Sequence, residues 1–75
     1  LNVYPNPTSH IVNIDGDNLI NYDVLQLNDA TGRLIGEWKV TGVKMSIDVS
    51  IFASGNYTIN FKGLKGNLVK KIQIL

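Results

Sequence analysis

The feature that most constrains the fold of this chain is a two-residue alternation of apolar and polar side chains, repeated in short runs. The clearest run is 56–62, in which Tyr57, Ile59 and Phe61 alternate with polar residues. Successive side chains of a β-strand point to opposite faces, so this period of two indicates strands with one buried face. Val and Ile together number 16 against 8 Leu, a balance that also favours strands over helices.

Runs of this kind recur about every ten residues, separated by clusters of Gly, Asn and Asp that are typical of turns. The predicted strands are residues 1–3, 12–14, 23–28, 33–40, 44–49, 56–62 and 67–75. We expect turns at Asp15–Asn18, Asn28–Gly32 and Gly63–Gly66, the first of them a hairpin turn. About seven short strands at this spacing predict an all-β fold, an antiparallel β-sandwich.

Two segments have a helical interpretation. Ser50–Gly55 is predicted to form one helical turn, with Ser50 as the N-cap and Gly55 ending it in the left-handed conformation. Leu19–Leu27 could form a short helix, but its Asn and Asp residues and the neighbouring turn signals favour turn and strand. Helix is therefore expected only at a corner between strands.

The predicted core collects apolar residues that share one face of their strands. It comprises Leu25, Leu27, Leu34, Trp38, Ile47, Tyr57, Ile59 and Phe61. In the last strand, one face carries Leu68, Ile72 and Ile74. Lys70 and Lys71 are adjacent and so point to opposite faces, which predicts that at least one of them is exposed.

Composition excludes several classes of protein. The chain has no cysteine, so it forms no disulfide and no cysteine-based zinc site. Its net charge is +1 and 17% of its residues are charged, which makes nucleic acid or an anionic membrane a poor electrostatic partner. No apolar run approaches the roughly 20 residues that span a bilayer. We expect one small domain over residues 1–75 without a transmembrane segment.

Residues that could carry chemistry are few. His10 is the only histidine, Ser9 is its nearest hydroxyl, and no carboxylate lies at a local spacing that would orient the imidazole. Asp15 and Asp17 flank Gly16 as in a fragment of a calcium loop, but the only Glu of the chain, Glu37, lies far along another predicted strand and does not complete the ligand set. We predict a non-enzymatic domain with no catalytic residue, no metal site and no cofactor.

The aromatic residues allow a carbohydrate-binding surface as a weaker hypothesis. Trp38 and Tyr57 share a face with apolar neighbours, which favours positions in the core. Tyr4 and Tyr22 lie beside turns and could be exposed. Two scattered tyrosines make a weak platform for stacking sugars.

Both prolines of the chain, Pro5 and Pro7, bracket Asn6 near its start. Proline fixes φ, donates no backbone hydrogen bond, and pushes the residue before it toward an extended conformation. The opening stretch therefore predicts a short strand, a stiff extended corner and then a second strand.

Five segments, taken in order, carry a resemblance to a known family. They are L-N-V-Y-P-N-P at 1–7, V-N-I at 12–14, L-N-D-A-T-G-R-L at 27–34, I-D-V-S-I-F-A-S-G-N-Y at 47–57 and L-V-K-K-I-Q-I at 68–74. This succession resembles the type A C-terminal sorting domain of the type IX secretion system of Bacteroidota, over essentially the whole chain. The resemblance implies a small Ig-like β-sandwich.

The resemblance also implies a function. The domain would end a longer secreted protein whose cargo lies upstream, and the precursor would enter the periplasm by the general export pathway. Components of the outer-membrane translocon would recognise the folded domain, and a sortase-like peptidase would remove it, leaving the cargo at the cell surface or outside the cell. The positions that match the family and are expected to serve recognition are Pro5, Asn6, Pro7, Gly32, Gly55, Tyr57, Lys70 and Lys71. The alternative is an accessory Ig-like module that binds carbohydrate or spaces the domains of a secreted enzyme.

Overall fold

The computed structural model describes residues 1–75 and contains seven β-strands but no α-helix. The strands are β1 (Asn2–Tyr4), β2 (Ile11–Asp15), β3 (Val24–Asn28), β4 (Leu34–Lys39), β5 (Lys44–Asp48), β6 (Gly55–Gly63) and β7 (Gly66–Ile74). They form a three-stranded sheet in the order β1-β2-β5 and a four-stranded sheet in the order β4-β3-β6-β7. Neighbouring strands are antiparallel in both sheets, which confirms the predicted all-β antiparallel sandwich.

The core lies between the two sheets and is formed by the inward-facing side chains of both. Within the large sheet, Leu25 and Leu27 of β3 lie beside Phe61 and Ile59 of the neighbouring strand β6. The buried apolar residues are Val12, Ile14, Leu19, Leu25, Leu27, Ile47, Val49, Tyr57, Ile59, Phe61, Ile72 and Ile74. Six of the eight predicted core residues are among them, and the last strand contributes Ile72 and Ile74 as expected.

The other two predicted core residues lie in β4, and their positions differ from the prediction. The prediction for Leu34 was wrong, because its side chain is 51% exposed. A register shift opposite the Leu27–Asn28 step places Leu34 against Asn28, so the strand carries an extra residue and Leu34 moves to the outer face. Trp38 faces inward but is only half-buried, because β4 is an edge strand and its indole covers the backbone of Gly36.

The predicted hairpin turn at Asp15–Asn18 was also wrong. β2 lies between β1 and β5, whereas β3 belongs to the other sheet, so this segment crosses the sandwich. Residues Asp17–Asn21 form a 3-10 helix that buries Leu19 completely, which gives an apolar reason for the crossing. This short helix is the only helical segment, and it is neither long nor apolar enough to cross a membrane.

The corner between β5 and β6 forms a turn and not the predicted helical turn. Its closing bond runs from the Phe52 N–H to the Val49 carbonyl, with 3.1 Å between nitrogen and oxygen. Ser50 donates its backbone N–H and its hydroxyl to Asp48 Oδ1, so the carboxylate organises the turn and Ser50 is not a helix cap. Gly55 begins β6 with φ +154° and not in the left-handed helical conformation. The predicted turns at Asn28–Gly32 and Gly63–Gly66 do form, and each joins two paired antiparallel strands as a hairpin.

One side of the sandwich is closed by the segment that follows β1. The chain leaves the small sheet at Tyr4, and Thr8 then forms a parallel bridge with Ile74 at the edge of the large sheet. Thr8 is the only buried polar residue, and its hydroxyl donates to the Ile11 carbonyl at 2.7 Å. The first and last strands of the chain are thereby joined at one end of the domain.

Candidate recognition surface

Asn6 joins the proline corner to the last strand through its side chain. Its Nδ2 donates to the Lys71 carbonyl at 3.1 Å, and its Oδ1 accepts from the Gln73 N–H at 2.9 Å. Neither flanking residue can donate from its backbone, because both are prolines. A carboxamide holds an N–H donor and a carbonyl acceptor in one plane, as a peptide unit does. The side chain of Asn6 therefore takes the place of a peptide group at the edge of β7.

The contacts of Asn6 continue a backbone ladder that Thr8 makes with the same strand. The Thr8 N–H donates to the Gln73 carbonyl at 3.0 Å, and the Leu75 N–H donates to the Thr8 carbonyl at 2.8 Å. Two residues earlier in each of the two segments, the Asn6 side chain makes the equivalent pair of bonds, to the Lys71 carbonyl and from the Gln73 N–H. Residues 6–8 therefore cover the edge of β7 from Lys71 to Leu75. We call this segment the strap.

The two lysines of β7 lie on opposite faces, as expected. Lys71 is opposite Thr58 on the outer face of the large sheet, and its side chain is exposed. Lys70 is opposite the buried Ile59, so it faces the interior side at the edge of the sheet and is half-buried. Neither lysine forms a salt bridge.

A groove of about 610 Å³ brings several predicted positions together at this end of the domain. We call it the corner groove; it is lined by Asn6, Asp29, Ala30, Gly32, Asn56, Tyr57, Thr58, Lys71, Ile72 and Gln73. Four of the eight positions selected from the sequence are among these residues. Pro5 and Pro7 are exposed beside Asn6, and Gly55 is paired with Ile74. Lys70 lies on the other face of β7 and does not line the groove.

Tyr57 forms the buried end of the corner groove. Its side chain is 8% exposed, and its hydroxyl donates to the Ala53 carbonyl at 2.6 Å. A tyrosine near the start of a strand that bonds to backbone a few residues upstream is a recurring device in Ig-like sandwiches. The residue therefore secures the corner between β5 and β6, and its aromatic ring is packed in the core.

The β3–β4 hairpin supplies the opposite wall of the groove and is ordered by one carboxylate. Asp29 Oδ1 accepts from the Thr31 hydroxyl at 2.6 Å and from the backbone N–H groups of Thr31 and Arg33, each at 3.0 Å. These bonds, that of the Thr31 hydroxyl above all, lower the pKa of Asp29. Gly32 has φ +86°, a conformation that favours glycine, and its N–H donates to the Asp29 carbonyl. Gly32 is needed for the shape of the turn.

The electrostatics of the corner groove are set by Lys71. Asp29 is the only carboxylate in the lining, and its Oδ2 lies 3.2 Å from Arg33 Nε in the one salt bridge of the domain. The other polar side chains are hydroxyls and carboxamides. The groove therefore presents one uncompensated cation among hydrogen-bonding groups.

Several lining residues were not selected from the sequence. Asp29 could have been, because an Asp followed by Thr and Gly within three residues is a known turn pattern. Asn56 and Gln73 are ordinary polar residues on strands, and only the fold places them beside each other. Thr8, which belongs to the strap and does not line the groove, carries no local signal, because its burial depends on its contact with β7.

The residues that could have carried chemistry have local roles. His10 Nδ1 and Ser9 Oγ are 2.8 Å apart, and no carboxylate is hydrogen-bonded to the imidazole. Asp15 accepts from the Tyr4 hydroxyl at 2.6 Å and from Asn2 Nδ2 at 3.1 Å, and the Tyr4 bond in particular lowers the pKa of the carboxyl. No group of three or more His, Asp or Glu residues could hold a metal ion. No aromatic platform lines the corner groove, since its only aromatic residue is the packed Tyr57.

Comparison with known proteins gives one family. The family model described as "Secretion system C-terminal sorting domain" matches residues 2–75. No curated protein matches the chain significantly. The matched residues include both the proline corner and β7, and the strap connects the corner to β7 by its contacts with that strand.

Proposed function

Because this chain belongs to the family of secretion system C-terminal sorting domains, which are the sorting signals of type IX secretion cargo, we propose that the corner groove and the strap are the surface by which it is recognised. The observation that carries this proposal is the double hydrogen bond of the Asn6 carboxamide to β7. It makes the proline corner and the lysine-bearing strand one surface that exists only in the folded domain. A translocon that reads this surface would accept a folded signal and reject an unfolded one.

The position of Leu1 supports this assignment. Leu1 packs on Gly16, where an added Cβ would lie 2.9 Å from the Leu1 Cα, beside the end of β2 that leads into the 3-10 helix. The corner groove lies at the opposite end of the strands, and the domain is 31 Å long. A cargo attached upstream of Leu1 would therefore leave the groove free.

The steps around recognition follow from the same proposal. The cargo would reach the periplasm by the general export pathway, and an outer-membrane translocon component would bind the corner groove. A sortase-like peptidase would then remove the domain, and the cargo would finish at the cell surface or outside the cell. The family is not catalytic, so the peptidase and the translocon would carry out all the chemistry and the transport.

Within this surface the predicted positions have two kinds of role. Gly32, Gly55 and Tyr57 shape the turns and the strand start that form the groove. Asn6, held between Pro5 and Pro7, fixes the strap on β7. Lys71 is the exposed charge that a partner could reach, and Lys70 contributes from the edge of the same strand. Lys71 is therefore the residue that we assign to direct contact with the translocon component.

Reporter export tests this function. A fluorescent reporter that carries an export signal and ends in residues 1–75 should appear in the medium of a host with a type IX system. It should stay in the periplasm of the same host without the translocon. The reporter with the export signal alone is the control. Equal extracellular fluorescence with and without the domain would refute the assignment.

A further inference from the structure

The edge of β7 is only half covered by the strap. The strap bonds to residues 71, 73 and 75, and backbone groups in an antiparallel strand point alternately toward and away from the neighbour. The N–H and C=O of Asn67 and Val69 and the N–H of Lys71 therefore point away from β6. None of these groups has a protein partner, because β7 pairs with no other strand there. We call Asn67–Lys71 the open edge.

The open edge differs from the other uncovered edges of the sandwich. β4 carries a register shift, which bends a strand and interrupts its pattern of outward groups. In the small sheet, the edge strand β1 has only three residues, and the other edge strand, β5, has five and carries both Lys44 and Asp48. β7 has nine residues in unbroken register with β6, and its charged side chains are all lysines. An added strand would find its most regular and most uniformly charged template at β7.

Charge is unevenly distributed along the chain. All six acidic residues precede Val49, and the part of the chain after it holds four lysines and no acid. These are Lys62, Lys65, Lys70 and Lys71, all on the β6–β7 hairpin. None of them forms a salt bridge. The hairpin is therefore a cationic surface whose counter-charges the domain does not supply.

We propose that the open edge binds an extended acidic segment of a partner protein by adding it as a strand. Backbone hydrogen bonds to Asn67, Val69 and Lys71 would hold the segment, and the strap shows that this edge accepts a chain running along it. Lys70 and Lys71 would meet acidic side chains on the two faces of the sheet. Lysine on an edge strand, above all one facing inward, discourages pairing with neutral strands. The same lysines would favour the pairing of strands that carry acidic side chains.

That this partner is part of the secretion machinery rests on the proposed function, whereas the binding of an acidic strand does not. The probe is a capped peptide of alternating Glu and Val, titrated into the ¹⁵N-labelled domain, with an alternating Lys and Val peptide as its control. The acidic peptide should shift the amide signals of Asn67–Lys71 and slow their hydrogen exchange. The double variant Lys70→Glu and Lys71→Glu should weaken binding about tenfold or more, and the matched variant Lys39→Glu and Lys44→Glu should not.

A second variant separates strand addition from simple charge attraction. Val69→Pro removes an outward N–H without removing any bond to β6, and proline is tolerated on edge strands in that orientation. It should abolish the slowed exchange, while Val69→Ala should retain it. The inference is overturned if both peptides bind equally, if the shifts lie mainly on β4 or β5, or if Val69→Pro binds as Val69→Ala does. Export of the same variants is a separate readout: failure of the unaltered reporter would contradict the proposed function, whereas the peptide titration alone decides the open edge.

Discussion

Replacing Asn6 tests the physical basis of the recognition surface. Asn6→Ala removes both bonds of the carboxamide, to the Lys71 carbonyl and from the Gln73 N–H. A hydrogen bond contributes about 0.5–1.5 kcal/mol net, and both of these are solvent-exposed, so we expect the pair to contribute about 1–2 kcal/mol. In a domain of this size each kcal/mol lowers the melting temperature by about 4–8 °C. The variant should therefore melt clearly below the wild type.

Asn6→Asp separates the two bonds, because it keeps the acceptor and removes the donor. Its carboxylate would still accept from the Gln73 N–H but would face the Lys71 carbonyl without a proton between them. We expect hydrogen exchange at Gln73 to stay slow in Asn6→Asp and to speed up in Asn6→Ala.

Thermal unfolding and hydrogen exchange of Gln73 measure these effects. Asn56→Ala is the matched control, since Asn56 is exposed in the same groove and its side chain forms no hydrogen bond. If Asn6→Ala is as stable as Asn56→Ala and leaves Gln73 protected, the carboxamide does not act as a peptide group and the reasoning fails.

Three further results are expected. The double variant Lys70→Ala and Lys71→Ala should melt within a few degrees of the wild type, because Lys71 is exposed, Lys70 is half-buried at the edge of the sheet, neither forms a salt bridge, and surface substitutions usually change stability by about 0.5 kcal/mol or less. Its reporter should nevertheless be exported less efficiently; unchanged export at unchanged stability would make the lysines ordinary solvated charges. Tyr57→Phe should lower the free energy of unfolding in urea by about 1 kcal/mol, because the Ala53 carbonyl loses the hydrogen bond that it accepts from the tyrosine hydroxyl at 2.6 Å. An unchanged free energy of unfolding would show that water replaces the hydroxyl. Hydrogen bonds lower the pKa of three carboxyl groups: the largest contributions come from Tyr4 to Asp15, from Thr31 to Asp29 and from Ser50 to Asp48. The stability that these carboxylates contribute is therefore complete above the unfolded pKa of about 3.9 and is lost as the pH falls through the lower folded values. The melting temperature should fall as the pH is lowered below about 4, less steeply in Asp29→Asn, and a melting temperature that does not change with pH would contradict this.

The strands and the turns at Asn28–Gly32 and Gly63–Gly66 could be predicted because their signals are local. The alternation of Tyr57, Ile59 and Phe61 needs only neighbouring residues, and it predicted β6 and its buried face correctly. The turn of the β3–β4 hairpin was likewise visible as Asp, Thr and Gly. Period and turn chemistry act within a few residues, so a single sequence carries them.

Two errors have a common cause in the way strands are paired. The period of two places Leu34 inside, but the extra residue opposite the Leu27–Asn28 step reverses its face. Asp15–Asn18 has the composition of a hairpin turn, but its role depends on which sheet receives β3. Register and sheet assignment are properties of the assembled sandwich, so local patterns do not determine them.

The candidate site was predicted in part for the same reason. Pro5, Asn6 and Pro7 were recognisable as a corner, and the sequence predicted that at least one of Lys70 and Lys71 is exposed, which is Lys71. The contact that joins them spans 65 residues of sequence, and nothing near Asn6 indicates that its side chain bonds to β7. The groove is a result of that long-range contact.

The most direct test of the account is site-specific crosslinking during export. A photoreactive residue replaces either Asn56, which is exposed in the corner groove, or Ile20, which is 67% exposed on the 3-10 helix at the opposite end. Both reporters are expressed in a host with an intact type IX system, and the crosslinked protein is identified by mass spectrometry. Position 56 should crosslink to an outer-membrane translocon component, and position 20 should not. Crosslinking to that component from position 20 alone, or equally from both positions, would contradict recognition at the corner groove.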